Sequence, residues 1–252
     1  MRAFEVVTLL GLACGVFAAS PFSKVKSWNT ITLLQHWPQS FCDMEHCKLK
    51  QVNYWTLHGL WPDGVISCNS SWFLNMKEIK DLVPDLEKFW PNLLSPSHSE
   101  QIWRHEWTKY GTCAASLPAL NTTHKYFAKT LELRKKFDIG GALQNAGIVP
   151  TNKPYQLKKI EGAIKDAYGV KPRLQCDHDQ ASKGNEVHQK LVQIQICMTK
   201  EFKPINCEMS MEDLWNEVNV MLPFKFYRPQ GFTICDPSNL ALYPQVKGDN
   251  NM

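Results

Sequence analysis

Nine cysteines in 252 residues constrain this chain more than any other feature. Cys14 falls in a leading segment that reads as a secretory signal. Arg2 gives a short basic start, Val6 to Phe17 an apolar run, and Ala18-Ala19-Ser20 a small-residue cleavage region. Taking residues 1–19 as that signal leaves Cys42, Cys47, Cys68, Cys113, Cys176, Cys197, Cys207 and Cys235, an even set that predicts four disulfides in an oxidising compartment. Eight cysteines allow 105 connectivities, and the residues alone do not choose among them. A zinc site wants a Cys-x-x-Cys pair or close Cys/His pairs; His46-Cys47 is the nearest approach, and no metal is expected. Sequons at Asn69 and Asn121 suit the same compartment and predict exposed glycosylation positions.

The remaining segment, 20–252, is long enough to bury a substantial core as one domain, and nine Trp and twelve Phe are ample to fill it. No later stretch supplies about 20 uninterrupted apolar residues, so no membrane span is expected and the mature chain should be soluble, lumenal or secreted. A net charge of +4 permits a polyanionic partner without arguing for one. No repeat, low-complexity block, phosphate-cradling Gly-rich loop or interdomain linker is evident.

Along the chain, Trp28 to Trp37 predicts a strand carrying Ile31, Leu33 and Leu34 and ending at Gln35-His36-Trp37-Pro38, with His36 structural or peripheral. A short loop is expected between Cys42 and Cys47. Helical periodicity runs from Asn75 through Ile79, Leu82, Leu86 and Phe89, interrupted by Pro84. Further helices are expected over Thr123 to Lys136 and, after a segment loosened by Gly140-Gly141, from Asn152 and Pro154 through Tyr168. Val187 to Met198 alternates, with Val192, Ile194, Ile196 and Met198 on one side and Gln193 and Gln195 on the other, as in a half-buried antiparallel strand. Phe232 to Cys235 is a last short strand, and the tail after Pro237 is expected to be loosely held. Strands lead, helices follow and strands return, which predicts an α+β fold: a single domain with a central antiparallel sheet flanked by helices.

Two stretches carry chemistry. In Ile102-Trp103-Arg104-His105-Glu106-Trp107-Thr108-Lys109-Tyr110-Gly111-Thr112-Cys113, a helical rotation of about 100° per residue puts His105, Glu106 and Lys109 on one face with Tyr110 at its edge. Trp103 and Trp107 would anchor the other side, Gly111 would stop the helix, and Cys113 would fix its end. Such a face suits a dianionic, phosphorus-centred transition state, although a His-Glu pair on an amphipathic helix is more often a solvated polar face than a site. The metalloprotease pattern HExxH fails because Lys109 stands where its second His belongs. Upstream, Tyr54-Trp55-Thr56-Leu57-His58-Gly59-Leu60-Trp61-Pro62-Asp63 sets one His in an apolar strand closed by a turn at Pro62-Asp63-Gly64.

Together these stretches resemble the two active-site signatures of the ribonuclease T2 family, the secreted and lysosomal acid ribonucleases. Gln35-His36-Trp37-Pro38, the cysteine spacing and the length from Trp28 to Cys235 are similar to its animal members. The resemblance implies pairings Cys42–Cys47, Cys68–Cys113, Cys176–Cys235 and Cys197–Cys207, the second tying the signature helix to the loop after the His58 strand. It also implies cleavage of single-stranded RNA, through its own 2′-OH, to a 2′,3′-cyclic phosphate, with no metal or cofactor and no action on DNA, by a chain expected to be monomeric. By resemblance His58 is the general acid, Glu106 and Lys109 stabilise the pentacovalent state, His105 holds the phosphate, and Trp61 and Gln35 contact substrate. Trp61 stacks on a base in that reading and is plain core in the other.

The chain departs from the family at Tyr110, where a His usually serves as general base. A phenol with a pKa near 10 donates a hydrogen bond but is a poor base at neutral or lysosomal pH. Loss of a positioned base typically costs about 10²–10⁴ in rate, and His105 is the substitute on the same face. Two function classes follow: an endoribonuclease, full or impaired, and a catalytically inactive secreted RNA-binding or signalling protein of the same fold. The intact His58, His105, Glu106 and Lys109 favour the first.

Overall fold

The computed structural model describes residues 27–49, 51–178, 188–208 and 232–246; the leader and residues 247–252 lie outside them. The elements in order are β1 (Thr30–His36), α1 (Pro38–Glu45), β2 (Thr56–Pro62), a 3₁₀ turn (Met76–Leu82) running into α2 (Val83–Phe89), α3 (Ser99–Glu106), a π-helical turn (Trp107–Gly111) and α4 (Thr112–Ala114). Then come α5 (Thr123–Lys136), α6 (Ile139–Asn145), β3 (Tyr155–Gln156), α7 (Leu157–Tyr168), β4 (Arg173–Asp177), β5 (His188–Thr199), β6 (Pro204–Ile205), β7 (Thr233–Ile234) and β8 (Leu240–Leu242). The sheet runs β2-β1-β5-β4-β7, antiparallel at every step, and β8 adds one parallel pairing against β5. The fold is therefore α+β with an antiparallel centre, mixed at one edge, and no described helix is long and apolar enough to cross a membrane.

The two faces of the sheet differ. Ile31 and Leu33 of β1 and Ile194, Ile196 and Met198 of β5 join the main core with Tyr126, Phe127 and Leu131 of α5 and Ile160 and Ile164 of α7. Alternation turns His36, Gln193 and Gln195 the other way. All three are buried, where the sequence predicts a half-exposed side for Gln193 and Gln195, and the two glutamines are satisfied there because both donate to Gln175 on the neighbouring strand β4.

Four further expectations change. Cys42 lies in α1 and not in a loop: Pro38 opens that helix and His46 closes it in the left-handed conformation. Gly140 and Gly141 sit inside α6, held there by the burial of Ile139, Ala142 and Leu143. The helix expected to open at Asn152 begins at Leu157, after β3. The tail expected to be loose pairs through β8, and Tyr243 is buried against Trp37 and accepts a bond from Trp55 Nε1 at 2.9 Å, so apolar burial holds it at least to that point. Disulfides join Cys42 to Cys47, Cys68 to Cys113, Cys176 to Cys235 and Cys197 to Cys207.

Candidate active site

His58 is placed by a β-bulge. Leu34 of β1 faces Gly59 and Gln35 faces Leu57, so His58 is the extra residue of β2 at that step. Its Nδ1 lies 2.5 Å from Gln193 Oε1 on β5, its ring is 4.7 Å from that of Trp61, and its carbonyl accepts from Trp90 Nε1 at 3.1 Å. Burial pushes the His58 pKa down to about 4, against the Gln193 bond, with the positive charges of Lys109 and His105 adding to the fall.

The second signature is not one uniform helix. α3 ends at Glu106, and a π turn, which holds one residue more than an α-helical turn, carries Lys109 and Tyr110 before α4 resumes. Trp103 and Trp107 are buried as expected, their indoles donating to the carbonyls of Trp90 and Trp72 at 2.9 Å. Gly111 does not stop the helix. A Cβ there would collide with the Trp107 ring, so glycine is needed to let the backbone close on that tryptophan. The Cys68–Cys113 bond and a hydrogen bond from Ser67 N to Lys109 O at 2.7 Å clamp this segment to the loop after β2.

His105, Glu106 and Lys109 border one cleft at different depths. Glu106 is 2% exposed and accepts from Trp61 Nε1 at 2.8 Å. Burial pushes its pKa up to about 8, opposed by that bond and by Lys109. His105 stands at the solvent edge, its pKa lowered by desolvation and then by Lys109. Gly59 makes the strand–helix meeting fit, since a Cβ on it would collide with the Trp61 indole nitrogen and stand 2.5 Å from Glu106 Oε2.

Tyr110 is buried and stacks on Trp61, ring centroids 4.3 Å apart and planes 13° from parallel. Trp61 is thus half-exposed, with one face taken by Tyr110 and its N–H by Glu106. Gln35 is not at the cleft: period-two alternation turns it to the helix-covered face, where its Nε2 donates to Phe137 O at 2.8 Å. His36 does reach the cleft. It is 3% exposed, stacks on Phe41, lies 5.4 Å from the His58 ring, and neither ring nitrogen has a hydrogen-bond partner among the described residues. Beside it is a cavity of about 70 Å³ lined by His36, Phe41, His58, Asn92, Leu93 and Ile102 among others. Asn69 and Asn121 are both exposed. Gln193, Gln195 and Gln175 were not foreseen as part of the site; the available signal was a pair of glutamines alternating through an otherwise apolar strand.

Acid and base groups whose pKa values are driven apart around one lysine suit scission of a phosphodiester, and the fold that presents them here is a ribonuclease fold. More narrowly, the chain belongs to the ribonuclease T2 family, whose model matches residues 28–207. It is 48% identical over 220 residues to zebrafish (Danio rerio) ribonuclease T2, covering 87% of this chain and 89% of that one. To human ribonuclease T2 it is 37% identical over 224 residues, 87% and 86% of the two chains. The crystal structure of human RNase T2 superposes with a TM-score of 0.71 at 35% identity over 87% of this chain and all of that one. RNase NT in complex with 5′-AMP superposes with a TM-score of 0.65 at 28% identity over 87% of this chain and 99% of that one.

Proposed function

We propose that this endoribonuclease cleaves single-stranded RNA by transphosphorylation. The 2′-OH attacks the adjacent phosphorus, the P–O5′ bond breaks, and the products are a 2′,3′-cyclic phosphate and a free 5′-OH. The observation that carries the reading is Trp61, whose N–H holds Glu106 while its ring borders His58, so that strand and helix groups serve one cleft. RNA brings its own nucleophile, so the reaction calls for no metal, and DNA, lacking the 2′-OH, does not react.

His58 is the general acid that protonates the leaving 5′-oxygen. Its pKa of about 4 leaves it mostly neutral above pH 5 in the free protein, and a bound phosphate's negative charge raises it again, so turnover rises toward acidic pH. Glu106, protonated below about pH 8, donates a hydrogen bond to a developing equatorial oxygen, and Lys109 adds positive charge there. With Tyr110 packed flat on Trp61, His105 takes the 2′-OH proton, its lowered pKa favouring the neutral imidazole a base requires. The apolar cavity beside His36 and His58 suits the edge of a nucleobase. Four disulfides and two exposed sequons support a protein made with residues 1–19 as a removed signal and delivered to the extracellular space or a lysosomal lumen.

The test is turnover of a single-stranded RNA by the mature protein at pH 5 and pH 7, beside Tyr110→His and His58→Ala. Cleavage by the unaltered protein that only His58→Ala abolishes supports the reading. An inert protein restored by Tyr110→His makes the chain a binding or signalling descendant and overturns it.

A further inference from the structure

One polar chain in the sheet is not accounted for by the groups that touch substrate. Arg173 Nη1 donates to Gln195 Oε1 at 3.0 Å, Gln195 Nε2 to Gln175 Oε1 at 2.7 Å, and Gln193 Nε2 to the same Gln175 oxygen at 2.5 Å. Gln193 then turns its own Oε1 to His58 Nδ1 at 2.5 Å. The direction of every bond follows from the arginine. A guanidinium has donors only, so Gln195 must present oxygen to it and nitrogen to Gln175. Gln175 must therefore present oxygen, Gln193 must answer with nitrogen, and the atom left facing His58 is an acceptor. The strand register supports the arrangement: Arg173 pairs with Gln195, Gln175 with Gln193, and Gln193 with His36, one row crossing three strands.

We propose that Arg173, acting through Gln195, Gln175 and Gln193, is the positioning device that holds a proton on Nδ1 of His58 and leaves Nε2 as the nitrogen that exchanges the working proton. Which nitrogen of an imidazole is protonated is set by the bond the other makes. Here the setting group is a neutral amide carbonyl, so it orients the ring without giving it a carboxylate's charge. The proposal rests on His58 being the general acid. The titratable groups around that ring, His36, His105 and Lys109, lie outside the chain of glutamines, so altering the chain leaves them in place.

The test reads the tautomer directly, by ¹⁵N NMR of His58 in the full mature protein at pH 7, alongside kcat and KM on single-stranded RNA. The expected result is an Nδ1–H signal in the unaltered protein. In Gln193→Leu that signal shifts to Nε2–H or a mixture, and kcat falls roughly tenfold or more with KM little changed. Arg173→Met, at the far end and partly exposed, gives a smaller shift of the same sign and keeps the test open where Gln193→Leu does not fold. An Nε2–H signal in the unaltered protein, or an Nδ1–H signal that survives both variants, overturns the proposal. Failure of the underlying reading looks different: His58→Ala then cleaves at the unaltered rate whatever the tautomer.

Discussion

The sheet side and the helix side of the cleft are built by different means. On the sheet side, His58 is turned out by a bulge and held by an amide in a row of hydrogen bonds; its neighbour His36, on the next strand, has no hydrogen-bond partner for either nitrogen among the described residues. On the helix side, Glu106, Lys109 and Tyr110 are placed by volume: Trp103 and Trp107 fill the core beneath, and Gly111 and Gly59 remove the Cβ atoms that would hold the segments apart. Hydrogen bonds fix orientation down to which nitrogen carries a proton, whereas packing fixes depth. On both sides burial leads and a hydrogen bond opposes it: Glu106, 2% exposed, is driven up to about 8 against the Trp61 bond, and His58, half-buried, falls to about 4 against the Gln193 bond, an opposition His36 lacks.

The sharpest break in this comparison is His58→Ala, which removes the sheet side's contribution and is expected to lower turnover by about 10²–10⁴, measured as kcat on single-stranded RNA at pH 5. The next is Glu106→Gln, which keeps an acceptor for Trp61 but removes the titration. A carboxyl whose folded pKa is raised holds its proton in the native state while the unfolded chain releases it from about pH 4.5 upward, so the unaltered protein loses stability as pH rises to about 8. Denaturant midpoints should show Glu106→Gln gaining about 3–4 kcal/mol relative to the unaltered protein between pH 4.5 and pH 8. Gly111→Ala overpacks the π turn against Trp107 and should cost about 1–3 kcal/mol, read as a fall in Tm, with kcat lost in step. The smallest effect is at His36. Its folded pKa lies well below the usual 6.5, so below that pH the unfolded chain gains a proton that the native state refuses, and stability falls. His36→Phe, which keeps the stack on Phe41, should raise the denaturant midpoint at pH 5.5 and leave it almost unchanged at pH 8.

Much of the fold is legible along the chain because its signals are local. Thr122 caps α5, whose bounds match the apolar periodicity, and alternating residues mark β5. The π turn was not legible, since the periodicity of Trp103 and Trp107 is equally that of a straight helix and the extra residue follows from Gly111 fitting against Trp107. Gln35 misled for a related reason. It lies in the stretch that resembles the family, but one step of alternation sends it to the opposite face from His36.

What the amino-acid sequence determined by itself is the inventory and its local order: eight cysteines after a leader, two chemically distinctive stretches, a phenol where a base is usual, and the type of most elements. Only the tertiary structure decided which groups meet. Periodicity says which residues share a face, but not what covers that face or which atom of a symmetric-looking side chain points inward. Gln193 and Gln195 therefore read as the solvated side of a strand until β4 brings Gln175 and Arg173 beside them. Direction then passes from the guanidinium to the imidazole, because a donor that cannot accept orients every amide bonded in line with it.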